Sequence, residues 1–331
     1  MNLKSLVEVD VEEILTLKPR ELKKLKISDY QARGLVKTYY DLQDYRIISA
    51  SRHRKLTEEE QPHAFAAFLT AEMLHLEKMI QTALDGYSNS QEIGRWARSI
   101  CGIGPVISSG LMAYINIEEC PVASHLWRYA GLDPTTKWLG ADKAKEYFET
   151  VVGKRGPADQ EQLIKLAAMN NLNAERFIKA NADLSRAEQI ANYSKRPWNA
   201  TLKVLCWKIG QSFVKVSSND KDVYGKIYQI RKAYEQQKNE NGEYAAQAAQ
   251  KLKDFNIGKE TDAYKAYVEG KLPPAHIQQR AERYATKIFL SHYHAVAYEL
   301  HYGVKPPKPF AIAILNHAHE IPVPNWPMEA K

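Results

Sequence analysis

An all-α fold with little or no sheet follows from two patterns in the chain. Apolar residues recur at three- and four-residue spacing in segment after segment, whereas the strict alternation of a half-buried strand is almost absent. Helix-starting residues (Ser, Thr, Asn, Pro) precede many of these segments, and glycine often follows them. The length of 331 residues is enough for one large domain or two to three small ones. No run approaches the roughly 20 apolar residues of a membrane helix. The start, Met1-Asn2-Leu3-Lys4, lacks an apolar leader, so a cytoplasmic place and no membrane partner are expected. Cys101, Cys120 and Cys206 are odd in number and lack Cys-x-x-Cys spacing, which argues against a disulfide framework and a thiolate zinc site.

In chain order, short helices are predicted over Val11 to Leu17 and Asp29 to Tyr45. A long amphipathic helix comes next, expected over 57–84. Thr57 and Glu60 form a capping box, Pro62 falls in its first turns or marks the true start, and Phe65, Leu69, Leu76, Ile80 and Ala83 recur at helical spacing up to a stop at Gly86. That stripe packs on this chain's own core or on a second copy, which makes a homodimer a candidate partner. Helices over Gln91 to Ile100 and Pro105 to Ile115 flank a tight glycine connection, giving a helix-hairpin-helix. Polar helical pieces follow at Ala158 to Met169 and Ala174 to Ala180. Asn199 caps a helix with Leu202, Leu205, Ile209, Phe213 and Val216 on one stripe, and another helix runs from Lys221 to about Lys238. Pro273-Pro274 opens the last long helix and Gly303 stops it. An extended Lys305-Pro306-Pro307-Lys308-Pro309 strap follows, then one short strand over Ala311 to Leu315. The implied organisation is an N-terminal helical region (1–90), the hairpin segment (91–138), a helical insertion (139–195), a basic helical region (196–303) and a proline-rich tail (304–331).

The net charge of +7 and basic balance favour a polyanionic partner. Between Tyr193 and Lys232 stand nine Lys and Arg against two acids, an excess equal to that of the whole chain. In the hairpin, Cys101-Gly102-Ile103-Gly104-Pro105, glycines leave no Cβ before the backbone amides, and the following helix sets its partial positive end behind them. Such amides hold a phosphate oxygen without reading a base.

Three longer segments carry a resemblance. Ser99-Ile100-Cys101-Gly102-Ile103-Gly104-Pro105-Val106 is followed by Leu111-Met112-Ala113-Tyr114-Ile115 and by Leu126-Trp127-Arg128-Tyr129-Ala130-Gly131-Leu132-Asp133-Pro134. Together they resemble the C-terminal transposase domain of the DEDD-type insertion-sequence transposases and Piv-like DNA invertases, the IS one-ten family. The likeness covers residues 95–138 and continues more faintly over Trp198-Asn199-Ala200-Thr201-Leu202-Lys203 and Ala281-Glu282-Arg283-Tyr284-Ala285-Thr286-Lys287. It implies DNA as partner, duplex, junction or single strand, and a bacterial, archaeal or phage setting. The residues before the hairpin are expected to be too short and too helical for that family's RuvC-like metal-binding nuclease domain. Where the family places a serine nucleophile, this chain has Thr135 and Thr136.

The expected DNA contacts are therefore the hairpin (Gly102, Ile103, Gly104, Val106), Arg128, Lys195, Arg196, Lys203, Lys208, Lys215, Arg280, Arg283 and Lys287, with Trp138 and Trp198 able to stack on unpaired bases. Ser185 and Ser194 are the candidate nucleophiles of an alternative reading, a recombinase whose Mg²⁺ chemistry is supplied in trans. Ser185 equally begins a Ser-x-x-Glu capping box. A non-catalytic helical interaction module is the third reading. No cofactor and no metal are expected otherwise: His292 with His294, and His317 with His319, are each spaced by two and lack a cysteine pair.

Overall fold

The structure, a computed structural model, describes residues 17–59, 61, 63–307 and 321–328. Fifteen α-helices and no strand occur among them, so the fold is all-α. None of these helices is long and apolar enough to cross a membrane. The expected strand over Ala311 to Leu315, His317, His319, Glu60, Pro62 and nearly all of the Val11 to Leu17 helix lie outside the described residues.

After the single turn α1 (Pro19–Leu22), Ser28 caps α2 (Asp29–Glu58) by accepting from the Gln31 amide. Helix α2 continues well past Tyr45. Thr57 lies inside it, donating to the His53 carbonyl at 3.0 Å, so it does not start the next helix; α3 (Ala64–Ser90) begins after His63. The two run antiparallel, because their contacts pair rising numbers on one with falling numbers on the other: Asp29 with Tyr87, Arg46 with Glu77, Ser49 with Thr70. Gly86 does not end α3. A Cβ there would sit 2.0 Å from the Lys23 carbonyl oxygen, so its role is to let the α1 segment pass close. Beyond Glu77 the pair forms an arm whose apolar stripe is uncovered, with Phe65, Phe68, Leu69 and Leu76 exposed along with Ile47 and Ile48.

Helices α4 (Glu92–Ser99) and α5 (Pro105–Tyr114) follow. Every residue of α5 from Val106 to Ala113 is buried. One side meets Val36, Leu84 and Tyr87; the other meets α11 (Ala200–Val216), where a Cβ on Gly110 would stand 2.7 Å from Leu205. The hydroxyls that this burial would strand bond to backbone instead, Ser108 to the Gly104 carbonyl and Ser109 to that of Leu84, each at 3.0 Å.

Helix α6 (Ala123–Tyr129) leads to a peripheral group, α7 (Gly140–Val152), α8 (Gln160–Met169), α9 (Ala174–Lys179) and α10 (Arg186–Ser194), which share a small core of Phe148, Leu163, Leu166 and Tyr193. The remaining elements are α12 (Tyr224–Glu240), α13 (Ala245–Asp254), α14 (Asp262–Val268) and α15 (Pro274–Tyr302), the last closed by Gly303 at φ 70°. Helix α15 lies along α11 and α12 around packed rings: Phe213 stacks 4.9 Å from Tyr224, and Phe289 meets Tyr224 edge-on at 5.2 Å and stacks 6.0 Å from Trp96. Residues 321–328 return to this core, where the Trp96 indole donates to the Pro324 carbonyl at 2.9 Å and Asn325 donates to the Ser99 carbonyl at 3.0 Å.

Glu235, 1% exposed, joins α12 to α15 by accepting from Arg231, Arg280 and Tyr244. Burial alone would raise its pKa, but these three donors outweigh it and hold the carboxyl below the usual glutamate range. A depressed folded-state pKa stabilises the fold above the unfolded value and loses that contribution as pH falls through the folded one. Glu235→Gln should therefore flatten the acid limb of a melting temperature against pH profile. Glu235→Ala, which leaves two arginines without their acid, should cost roughly 3–5 kcal/mol in denaturant titration.

Candidate nucleic-acid interface

The segment Leu126 to Pro134 is shaped by the end of α6. The Gly131 amide donates to the Arg128 carbonyl at 3.0 Å and the Leu132 amide to that of Trp127 at 2.9 Å, a Schellman closure with Gly131 left-handed at φ 65°. Any side chain at 131 would enter the Trp198 ring, since a Cβ there would lie 2.7 Å from its Cγ. Asn199 fixes the same junction from the other strand of chain: its amide donates to the Tyr129 carbonyl at 2.9 Å, its side chain donates to the Tyr129 hydroxyl, and its Oδ1 caps α11 through the Leu202 amide. Helix α15 completes the site, for the Trp127 indole donates to the Lys287 carbonyl at 3.1 Å. Three stretches far apart in sequence thus converge on one face.

The chemistry of that face is uniform. The Lys203 ammonium stands 4.0 Å from the centre of the Trp198 ring, the Arg196 guanidinium 4.5 Å from Trp138 and the Lys287 ammonium 4.8 Å from Trp127. None of these cations makes an ion pair among the described residues, and neither does Arg283. Partial burial, with Arg283 and Arg196 close by, holds Lys203 below the ordinary lysine range. Burial lowers Lys287 as well, aided by Arg283 and opposed by Asp133, which is itself bonded to Arg128 and Thr135. Beside the cations lies an open cleft of about 370 Å³ lined by Trp138, Trp198, Val204, Trp207 and Lys203. Trp138 and Trp207 are half exposed.

Other expected contacts are placed elsewhere. Ile103 and Val106 are core side chains, and Gly102 at φ 89° is pressed against α11, its carbonyl accepting from Ser212 at 2.6 Å. Gly104 alone of these faces open space. Arg280 is bound to Glu235 and stacked on Tyr244. Lys195 donates to Asn192; Lys208 lies 4.7 Å from the Tyr40 ring; Lys215 is exposed. On the helical wheel of α11, Lys208 and Lys215 occupy the strip between the Lys203–Trp207 face and Ser212 under the hairpin.

Ser185 bonds to Glu188 through both its amide and its hydroxyl, and Ser194 donates to the Ala191 carbonyl. His292 bonds to Tyr224 and the Ile321 carbonyl, and His294 to the Cys120 carbonyl. No group of three metal-type side chains is found among the described residues. Burial pushes the Cys120 thiol up to about 11 and that of Cys206 up to about 12. Sequence reasoning does not single out Trp127 and Trp207: all six tryptophans have a basic residue within five positions, so that pattern does not separate the tryptophans of this face from Trp96 and Trp326. No protein-family model, curated protein or solved structure matches this chain.

Two glycine variants separate the elements. Gly131→Val places a β-branched residue at positive φ, costing about 1–2 kcal/mol before the Trp198 collision is counted, and should lower the melting temperature and alter the tryptophan near-ultraviolet dichroism. Gly104→Val, at an extended φ of −89° in open space, should change neither.

Proposed function

We propose that the chain is a nucleic-acid-binding protein that grips DNA by its backbone through the face formed by α6, α11 and α15. One observation carries this reading: Arg196, Lys203, Arg283 and Lys287 gather on that face without an ion pair among the described residues, and three of them lie on tryptophan rings. Cations gathered this closely repel one another and gain by meeting an anion, and a chain of phosphates supplies several at once. The likeness to an insertion-sequence transposase domain points the same way, because three of the segments that carry it, Leu126 to Pro134, Trp198 to Lys203 and Ala281 to Lys287, meet at this face. The hairpin contributes as a brace, with Gly104 as its open position. No bond-making step is assigned to Ser185 or Ser194, whose hydroxyls serve helix ends.

If these cations meet phosphates, log affinity for duplex falls linearly with log salt, at a slope of about −0.9 per contact. Replacing Arg196, Lys203 and Lys287 together by glutamine should leave the circular dichroism spectrum intact and reduce the slope by roughly two to three units. Weaker binding at an unchanged slope would remove these three residues from the interface.

The uncovered stripe on the α2–α3 arm favours a second copy of the chain as its occupant, arm against arm, since Phe65, Phe68, Leu69 and Leu76 would otherwise face water. Sedimentation equilibrium should show a dimer that Phe68→Glu shifts toward monomer.

A further inference from the structure

The cleft beside the cations has features that phosphate binding does not need. Along α11, Ala200, Lys203, Val204 and Trp207 are one-turn neighbours and share a face. Val204 is 53% exposed, Trp207 54% and Trp138 52%, a large outlay of apolar surface for a groove that only holds charge. Two of the three rings are fixed in advance. Trp138 donates its indole N–H to the Ser194 carbonyl at 2.9 Å, and Trp198 is wedged against Gly131. Trp207, half exposed in the cleft lining, makes no hydrogen bond through its indole among the described residues; its ring has the Lys208 ammonium 5.6 Å from its centre.

We infer, on the reading that this face binds nucleic acid, that the cleft receives unpaired bases, so that the protein prefers single-stranded or locally opened DNA to intact duplex. Charge decides against other flat or apolar ligands: an aromatic cage for a cationic group has no reason to hold Arg196 and Lys203 over its own rings, whereas a nucleotide brings a π-face for the tryptophans and a phosphate for the cations. Arg196, lying 4.5 Å from the Trp138 ring centre, extends that platform with its own guanidinium plane. Geometry decides against a paired duplex. Stacked base pairs present only their edges in the grooves, and the faces that these rings would meet become available only when a base leaves the stack. The rigidity of Trp138 and Trp198 lowers the ordering cost of capture, and Trp207 closes on the inserted base.

The test compares a labelled homopolymeric single strand with a blunt duplex of equal length, at one salt concentration, for the wild-type chain, Trp207→Ala and Trp207→Phe. Single strand is expected to bind more tightly and to quench tryptophan fluorescence. Trp207→Ala should weaken single-strand binding on the order of 5- to 150-fold, the range of one lost stacking contact, while duplex affinity stays within about twofold. Trp207→Phe should recover most of the loss, which a merely structural role at this exposed position would not produce. Equal losses on both ligands, or no loss on either, would overturn base capture and leave backbone binding standing. Failure of the wild-type chain to bind either ligand would overturn the function proposed above together with this inference.

Discussion

The burial of α5 organises the molecule. A ten-residue helix with Val106 through Ala113 all inside needs partners on every side, and α2, α3, α4 and α11 supply them. Its small residues set the distances: Gly110 admits Leu205, and Ser108 and Ser109 return their hydroxyls to backbone carbonyls, so the crowding leaves no polar group without a partner. Because α11 is held at its middle by this contact and at its C-terminal end by Gly102, its N-terminal half has one permitted direction. That direction carries Lys203 and Trp207 to the face shared with α6 and α15.

The same economy governs charge. Basic residues of the 193–232 stretch divide into two populations that composition cannot distinguish. Arg231 is consumed by Glu235, and Lys226 donates to the Asp220 carbonyl, both holding α12 in place. Arg196 and Lys203 find rings instead of acids. A cation resting on a tryptophan keeps its full charge toward solvent while its stem covers apolar surface, so these residues stabilise the fold and remain available to an anion.

Much of the fold was legible in the sequence, for local reasons. Asn199 has the residue type and position of a cap and accepts from the Leu202 amide; Pro274 and Gly303 mark the two ends of the long C-terminal helix and stand at them in the fold. The failures have tertiary causes. Thr57 and Gly86 looked like a start and a stop, but the first is absorbed by α2 and the second is a point of close approach to Lys23, which no local pattern records. Arg280 carried the same exposed-face signature as Arg283; only the fold shows Glu235 beneath it. Gly131 was visible as part of a motif, yet the ring that requires it lies 67 residues away, and the convergence of Trp127, Trp138, Trp198 and Trp207 depends on helix packing that spacing alone does not encode.

The return of residues 321–328 has a consequence for how the chain is made. The Trp96 indole N–H is satisfied by the carbonyl of Pro324, 228 positions later, and Ser99 waits as long for Asn325. At a synthesis rate of about 5–20 residues per second, that separation amounts to roughly 10–45 s before the carbonyl that accepts from the Trp96 indole in the fold has been made. The aromatic centre around Phe289 is likewise incomplete until α15 emerges, so the N-terminal helices leave the ribosome before the surfaces that bury them exist. Such long-range closure makes final docking a late step.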